Sequence, residues 1–137
     1  MMKAPQEIVN QMMAGDYFSQ WLGIDVQEIK LNYCRLGMKL RREMLNGFGI
    51  AHGGITYSIA DSALAFASNS GGRKSVSIET SISHLISLKE GDELIAIATL
   101  ESQTEKLGHY TIKVLLKESD KPVALFKGIV YRTSGIW

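Results

Sequence analysis

The spacing of apolar residues along the chain alternates between helical and strand-like periods. Near the N-terminus, apolar residues recur at helical spacing from Ile8 to Met13 before Gly15, which predicts a short amphipathic helix. Asp16 can cap a second short turn that ends before Gly23. The large apolar residues of this turn are expected to pack inward: Tyr17, Phe18, Trp21 and Leu22.

Strand-like alternation, with every second residue apolar, begins at Ile24. It predicts an antiparallel pair of strands joined near Asn32, and a longer series of strands in the second half of the chain. Polar turns containing Gly or Pro divide that series into strands at residues 75–88, 93–105, 109–117 and 123–133. Because the connections are short, neighbouring strands are expected to pair in the antiparallel sense.

The segment between these two groups of strands contains almost no charge. Within residues 44–72, Asp61 is the only permanently charged side chain. Gly53 and Gly54 precede an Ala-rich run without Gly or Pro, which predicts a helix over residues 55–68. Its apolar residues surround the whole circumference, whereas a surface helix confines them to one stripe. We therefore expect this helix to be buried.

A buried helix and a long antiparallel sheet can cover each other if the sheet wraps around the helix. The sequence therefore predicts an α+β fold in which a long curved antiparallel sheet surrounds one central helix. Residues 1–137 are long enough for a single domain, here with a short N-terminal helix, and too short for two. Mostly apolar strands and unpaired sheet edges favour further burial between subunits, so we expect at least a dimer.

Charge and cysteine content exclude several classes of function. The chain has 15 Lys and Arg against 14 Asp and Glu, spread without long blocks, so neither nucleic acid nor a membrane surface is an expected partner. The single cysteine, Cys34, excludes an internal disulfide and is interpreted as a packed small hydrophobic residue. A single thiol suits a reducing compartment, and we find no signal-peptide pattern or membrane-spanning stretch. The expected location is the cytoplasm.

Asp61 requires an explanation, because a carboxylate in a buried helix is costly unless it is paired, hydrogen-bonded or reached by water. One interpretation is a satisfied core residue, which is the common case for buried polar groups. Its neighbours favour a catalytic interpretation. His52, Gly53 and Gly54 place an imidazole and two residues without side chains at the positive end of the helix, where N–H groups are unpaired. Such an end can bind a carbonyl oxygen or an oxyanion.

Two motifs connect this region to a known family. Residues 46–54 read Asn-Gly-Phe-Gly-Ile-Ala-His-Gly-Gly, and residues 59–63 read Ile-Ala-Asp-Ser-Ala, with Ala-Ser-Asn following at 67–69. Together with the order of elements, these motifs resemble the hotdog-fold acyl-CoA thioesterases, and above all the PaaI-like group associated with phenylacetate degradation. The resemblance covers nearly the whole chain. It implies hydrolysis of an acyl-CoA thioester, such as a phenylacetyl-CoA derivative, without cofactor or metal, by a homodimer or a homotetramer built as a dimer of dimers.

The resemblance also implies catalytic roles for particular residues. Asn46 would hold the substrate thioester and the loop before the helix, and the N–H of Gly53 would polarise the thioester carbonyl. His52 would orient these groups or the leaving thiolate. Asp61 would act as general base or nucleophile from the opposite subunit, while Ser77 would help to position the attacking water. These roles are chemically coherent, because thioester hydrolysis needs donors at the developing oxyanion and a carboxylate that takes a proton from water.

The expected substrate contacts are less specific. Gly54 shares the helix end with Gly53, and Phe48 and Tyr57 could line an aromatic acyl pocket, as could Phe66, or could belong to the core. His84 stands where many relatives have an aromatic residue, followed by an Arg-Pro pair that this chain lacks. It is either a structural residue or a substrate contact.

A second function on the same fold is a non-catalytic module that binds or senses acyl-CoA, since fold alone does not decide function. The combination of Asp61 with the His-Gly-Gly helix start favours the enzyme, because a binding module has no need of a partly desolvated carboxylate. A dehydratase on this fold would need an Asp and His pair at a different spacing, which the sequence does not show.

Overall fold

A computed structural model describes residues 2–137 of the chain. The elements are α1 (Pro5–Gly15), α2 (Tyr17–Leu22), β1 (Asp25–Lys30), β2 (Tyr33–Lys39), a 3₁₀ turn (Arg42–Met44), α3 (Gly53–Asn69), β3 (Arg73–His84), β4 (Glu93–Gln103), β5 (Leu107–Leu116) and β6 (Pro122–Ile136). This order follows the prediction. None of the helices within residues 2–137 has the length and apolar character needed to cross a bilayer.

The six strands form one antiparallel sheet in the order β1-β2-β4-β5-β6-β3. The central helix α3 contacts all six strands, so the sheet curves around it and the predicted fold class is confirmed. The approach of helix to sheet is close at Gly128, where an added Cβ would lie 2.5 Å from a methyl carbon of Leu64. The side chains that fill the space between α3 and the sheet include Leu36, Ile59, Leu64, Phe66, Ile112 and Phe126.

Burial of α3 agrees with the prediction over most of the circumference, but not all of it. Ile59, Ala60 and Ala63 are completely buried. Half-buried or exposed residues follow one another along one side of the helix: Gly54, Tyr57, Ser58, Asp61 and Ala65. This side remains open in the single chain because the sheet ends at β3, which is an edge strand. Two apolar side chains of that edge, Val76 and Ile78, are also exposed.

Two strand ends differ from the prediction by more than two residues. β3 ends at His84, four residues early, because the chain leaves the sheet there and the carbonyl of Leu88 accepts a hydrogen bond from the N–H of Ala51. β6 extends to Ile136, since it continues to pair with the start of β3, where Arg73 lies opposite Ile136.

The aromatic residues of the short helix α2 do not pack as predicted. Asp16 caps the helix by accepting a hydrogen bond from the N–H of Ser19 at 2.9 Å, as predicted. Leu22 is buried, whereas Tyr17, Phe18 and Trp21 are exposed. The inward packing predicted for these three aromatic residues is therefore wrong, because a helix of six residues turns only one narrow side toward the core. Phe18 and Trp21 stack on each other instead, with ring centroids 6.0 Å apart.

Cys34 lies on β2 with its side chain completely buried. Its thiol is directed to the carbonyl of Ala63 on the central helix, at 3.2 Å. Burial raises the pKa of this thiol to about 12, so the thiolate is disfavoured at neutral pH. The interpretation of Cys34 as a packed small hydrophobic residue is confirmed.

Candidate active site

The N-terminus of α3 is capped by His52. The imidazole Nδ1 accepts a hydrogen bond from the N–H of Gly54 at 2.9 Å, and the His52 carbonyl accepts one from the N–H of Ile55 at 2.9 Å. With Nδ1 as the acceptor, Nε2 is the ring nitrogen that is left to act as a donor. The N–H of Gly53 has no acceptor within residues 2–137. Of the two glycines, Gly53 therefore presents the available donor, and the donor of Gly54 is engaged.

The loop before the helix is organised by Asn46. Its side-chain oxygen accepts hydrogen bonds from the N–H groups of Phe48 at 2.9 Å and Ile50 at 3.4 Å, and its own N–H donates to the Ile50 carbonyl at 2.7 Å. Gly49 has a φ of +79°, which a residue with a Cβ rarely adopts. These bonds hold the loop as a compact unit, which agrees with the loop-stabilising role expected of Asn46.

A cleft of about 340 Å³ lies beside Gly53. It is mostly apolar with a few polar groups, which is typical of small-molecule sites, and its lining is Asn46, Ile50, Ala51, Gly53, Thr56, His84, Leu85, Ile86, Ser87 and Leu88. The ring of His84 lies directly against Gly53: Nε2 is 3.2 Å from the position that a Cβ on Gly53 would occupy. Three residues singled out from the sequence, Asn46, Gly53 and His84, therefore share one cleft.

Asp61 lies in a second cavity, of about 270 Å³, that also contains Ser77. The carboxylate is half-buried and has no hydrogen bond or ion pair in the part of the chain that the structure describes. Burial is the main cause that raises the pKa of Asp61, and the negative charge of Asp16 raises it further. A carboxylate in this condition is a stronger base than an exposed one, which is typical of catalytic acids and bases.

The two cavities are separate within one chain. Gly53 and Asp61 are on the same helix, and at 1.5 Å per residue their backbones are about 12 Å apart along its axis. No residue lines both cavities. The structure thus divides the predicted catalytic residues into two groups, with Asn46 and Gly53 in one and Asp61 and Ser77 in the other.

The aromatic residues considered for an acyl pocket have three different environments. Phe66 is fully buried and belongs to the core. Tyr57 packs edge to face on Phe126, with centroids 5.2 Å apart, and its hydroxyl bonds that of Thr80. Phe48 is 90 % exposed at the tip of its loop. Neither Phe48 nor Tyr57 lines the two cavities described above.

Sequence reasoning missed several residues of these cavities. Thr56, one turn into α3, follows His52 at a helical spacing that could have identified it. The proximity of Asp16 to Asp61 has no sequence signal, because it arises when α2 packs on α3 and the hydroxyl groups of Ser19 and Ser62 meet at 2.8 Å. A larger cleft, of about 480 Å³, contains none of the predicted site residues and includes His109.

Comparison with known proteins identifies the family. The profile of the thioesterase superfamily matches residues 48–123, which include Gly53, Asp61 and all of β3. The chain belongs to the thioesterase superfamily. It is therefore an enzyme of the thioester hydrolase class, and the resemblance predicted from the motifs is confirmed.

Individual relatives of this thioesterase support the same conclusion. The acyl-coenzyme A thioesterase PaaI of Escherichia coli strain K12 is 35% identical over 124 residues, covering 90% of this chain and 88% of that protein. A structure of the E. coli PaaI protein from the phenylacetic acid degradation operon matches with a TM-score of 0.93 at 32% identity, covering 96% and 95% of the two chains. A mutant of the phenylacetic acid degradation protein PaaI from Thermus thermophilus matches with a TM-score of 0.82 at 31% identity, covering 86% and 100%. The hotdog fold is thus confirmed.

Proposed function

We propose that this thioesterase hydrolyses acyl-CoA esters to the free acid and coenzyme A. The proposal rests on two groups of the same helix. The N–H of Gly53 has no hydrogen-bond acceptor, and the half-buried carboxylate of Asp61 has no hydrogen-bond partner among the described residues. The first group can stabilise an oxyanion and the second can accept a proton, and hydrolysis of a thioester requires both. The E. coli relative is named as an acyl-coenzyme A thioesterase, which supports the choice of substrate.

The active site in this proposal is shared between two copies of the chain. β3 is an edge strand that exposes Val76 and Ile78, so it offers both backbone donors and apolar surface to a second β3. Antiparallel pairing about a twofold axis between Thr80 and Ser81 would bring His84 of one copy opposite Ser77 of the other. The cleft at Gly53 would then meet the cavity at Asp61 across the subunit boundary. Two such dimers would form the homotetramer.

The chemistry then follows from the groups that meet. The thioester oxygen accepts a hydrogen bond from the N–H of Gly53, and the side-chain N–H₂ of Asn46 holds the substrate. Asp61 of the other copy acts as general base, taking a proton from a water held by Ser77 as the water oxygen bonds the carbonyl carbon. When the tetrahedral intermediate collapses, the C–S electron pair leaves with sulfur, and Asp61 returns the proton to the thiolate. The scheme uses no cofactor or metal, and we expect a chelator to leave turnover unchanged.

An aryl-acetyl group, such as that of a phenylacetyl-CoA derivative, is the proposed acyl portion. The exposed ring of Phe48 is one candidate contact, because a partner subunit or a substrate would cover an aromatic surface of this size. The PaaI structures that match this chain come from proteins named for phenylacetic acid degradation. We place the reaction in the cytoplasm, with residues 1–137 acting as a single catalytic domain.

The direct test is a thiol-release assay over aryl-acetyl, benzoyl, short-chain and long-chain CoA esters. We expect release of coenzyme A, fastest with an aryl-acetyl ester, and loss of release in Asp61→Asn. Tight binding of these esters without release by the parent protein would instead identify a non-catalytic binding module.

A further inference from the structure

His84 is positioned for a role beyond that of a structural residue. It is the last residue of β3, its side chain is exposed, and its ring has no hydrogen bond or ion pair to any of residues 2–137. A histidine retained for packing is normally buried and bonded at one or both ring nitrogens. This ring instead lies at the wall of the cleft that contains Gly53 and Asn46.

The distance between His84 and Gly53 allows both to bind one atom. Nε2 lies 3.2 Å from the Cβ position of Gly53, with Cε1 at 3.4 Å. Since the N and Cβ positions of a residue are about 2.5 Å apart, Nε2 is at most roughly 5.7 Å from the Gly53 nitrogen. One oxygen atom can bridge that span with two hydrogen bonds of about 2.9 Å.

We propose that His84 is a second oxyanion donor, and hence a catalytic residue, whose Nε2–H and the N–H of Gly53 bind the same thioester oxygen. This inference rests on the proposed function and adds to it a donor on a side chain. No proton is transferred in the step: the N–H bond stays intact while the oxygen gains negative charge. A donor placed at that oxygen strengthens its hydrogen bond as the charge develops, and so lowers the barrier to attack.

The absence of a Cβ at residue 53 fits this role. The Cβ of an Ala at position 53 would lie 3.2 Å from Nε2 of His84, tighter than most Cβ contacts, so it would displace the ring slightly and occupy part of the space that the oxygen needs. With Gly at this position, the gap between the backbone donor and the imidazole donor stays free for the substrate oxygen. The two donors also come from different elements, since Gly53 begins α3 and His84 ends β3.

Kinetics of three variants test the proposal. His84→Phe keeps a planar ring without a donor and should lower kcat by about 10²-fold with little change in KM, because one oxyanion donor is lost. His84→Gln, which can place an amide N–H near the same point, should recover part of the loss. His109→Phe is the matched control. His109 lines the larger cleft of about 480 Å³, which contains none of the predicted site residues, so this variant should keep the parental kcat. A kcat for His84→Phe within threefold of the parent, with a parental melting curve, would overturn the proposal.

A spectroscopic measurement separates this inference from the proposed function. Phenylacetyl-CoA labelled with ¹³C at the thioester carbonyl is bound to Asp61→Asn, and the carbonyl stretch is followed by infrared difference spectroscopy. Binding should shift the band to lower wavenumber, and adding His84→Phe should remove about half of that shift, because one of two donors is gone. If the band has the same wavenumber with and without His84→Phe, the proposed role of His84 is contradicted. A parent protein that binds the ester but never releases coenzyme A contradicts the proposed function.

Discussion

The imidazole of His52 accepts a hydrogen bond from the N–H of Gly54, with 2.9 Å between Nδ1 and the backbone nitrogen. This bond satisfies the second donor of the helix end and leaves the first, that of Gly53, for a ligand. A sequence motif of one histidine and two glycines thus separates into a cap and a free N–H, which the proposed mechanism uses as the oxyanion donor. Substitutions at His52 and at Gly53 distinguish these two functions.

Replacing His52 tests the cap. His52→Ala should lower the free energy of unfolding by about 1 kcal/mol, the usual cost of losing an N-cap, whereas His52→Asn should retain it, because Asn is a good N-cap. We expect turnover of His52→Asn to stay within tenfold of the parent, since the cap alone keeps the first turn in place. Denaturant unfolding and steady-state kinetics on both variants provide the check. Parental stability in His52→Ala would show that the hydrogen bond to Gly54 contributes nothing.

Substitutions at Gly53 test the oxyanion donor. Gly53→Ala should lower kcat, and Gly53→Val should lower it further, by two to three orders of magnitude, because any Cβ there meets the ring of His84 and the space for the substrate oxygen. Gly47→Ala is a control in the loop before α3, since a Cβ at Gly47 has no heavy atom within 4 Å. If Gly53→Val melts like the parent and still turns over at the parental rate, the donor lies elsewhere.

The ionisation of Asp61 predicts an effect on stability. Burial and the charge of Asp16 raise the pKa of Asp61 in the folded protein above its usual value of 3.8, so folding favours the protonated form. The resulting penalty is absent below that usual value and appears as the pH rises through the folded-state pKa. Asp61→Asn, which is neutral at every pH, should therefore melt higher than the parent at pH 7, on the order of a few degrees.

Melting curves from pH 4 to pH 8 measure this effect. The difference between Asp61→Asn and the parent should shrink as the pH falls toward 4, because the protonated fraction of the parent carboxyl increases. A difference that is constant over this range would show that the charge of Asp61 has no cost in the folded protein.

A mixing experiment tests the shared site. Subunits carrying Asp61→Asn and subunits carrying Gly53→Val should each be inactive alone, while a mixed dimer contains one intact site with Gly53 from one copy and Asp61 from the other. Mixing equal amounts after reversible dissociation should restore activity to about a quarter of the parent, because half of the dimers are mixed and each has one of its two sites intact. Mixed dimers that form, as shown by differential tagging, but remain inactive would place both groups in the same subunit's site.

The sequence contained enough information for the helix, the sheet and the motif residues. The Ala-rich run after Gly53 has helical propensity and no interruption, and the strands after it alternate regularly between turns. These signals are local, so they can be identified from the sequence without knowledge of the tertiary structure. The same applies to Asp61, because a single charge in an apolar segment stands out at once.

What the sequence did not contain is the arrangement produced by packing. The exposure of Tyr17 and Trp21 depends on which side of α2 meets the core, and six residues are too few to define a stripe. The contact between His84 and Gly53 joins residues far apart in the chain, and it arises because β3 ends beside the start of α3. Neither relationship has a local signal that a pattern of apolar positions could reveal.

The catalytic role of Asp61 is decided by kcat for hydrolysis of phenylacetyl-CoA, measured for Asp61→Asn beside the parent. We expect a fall of two to four orders of magnitude, the usual scale for losing a positioned base, in a protein that remains folded by circular dichroism and melting. A variant that keeps most of the parental turnover would show that Asp61 is not the catalytic carboxylate of this thioesterase.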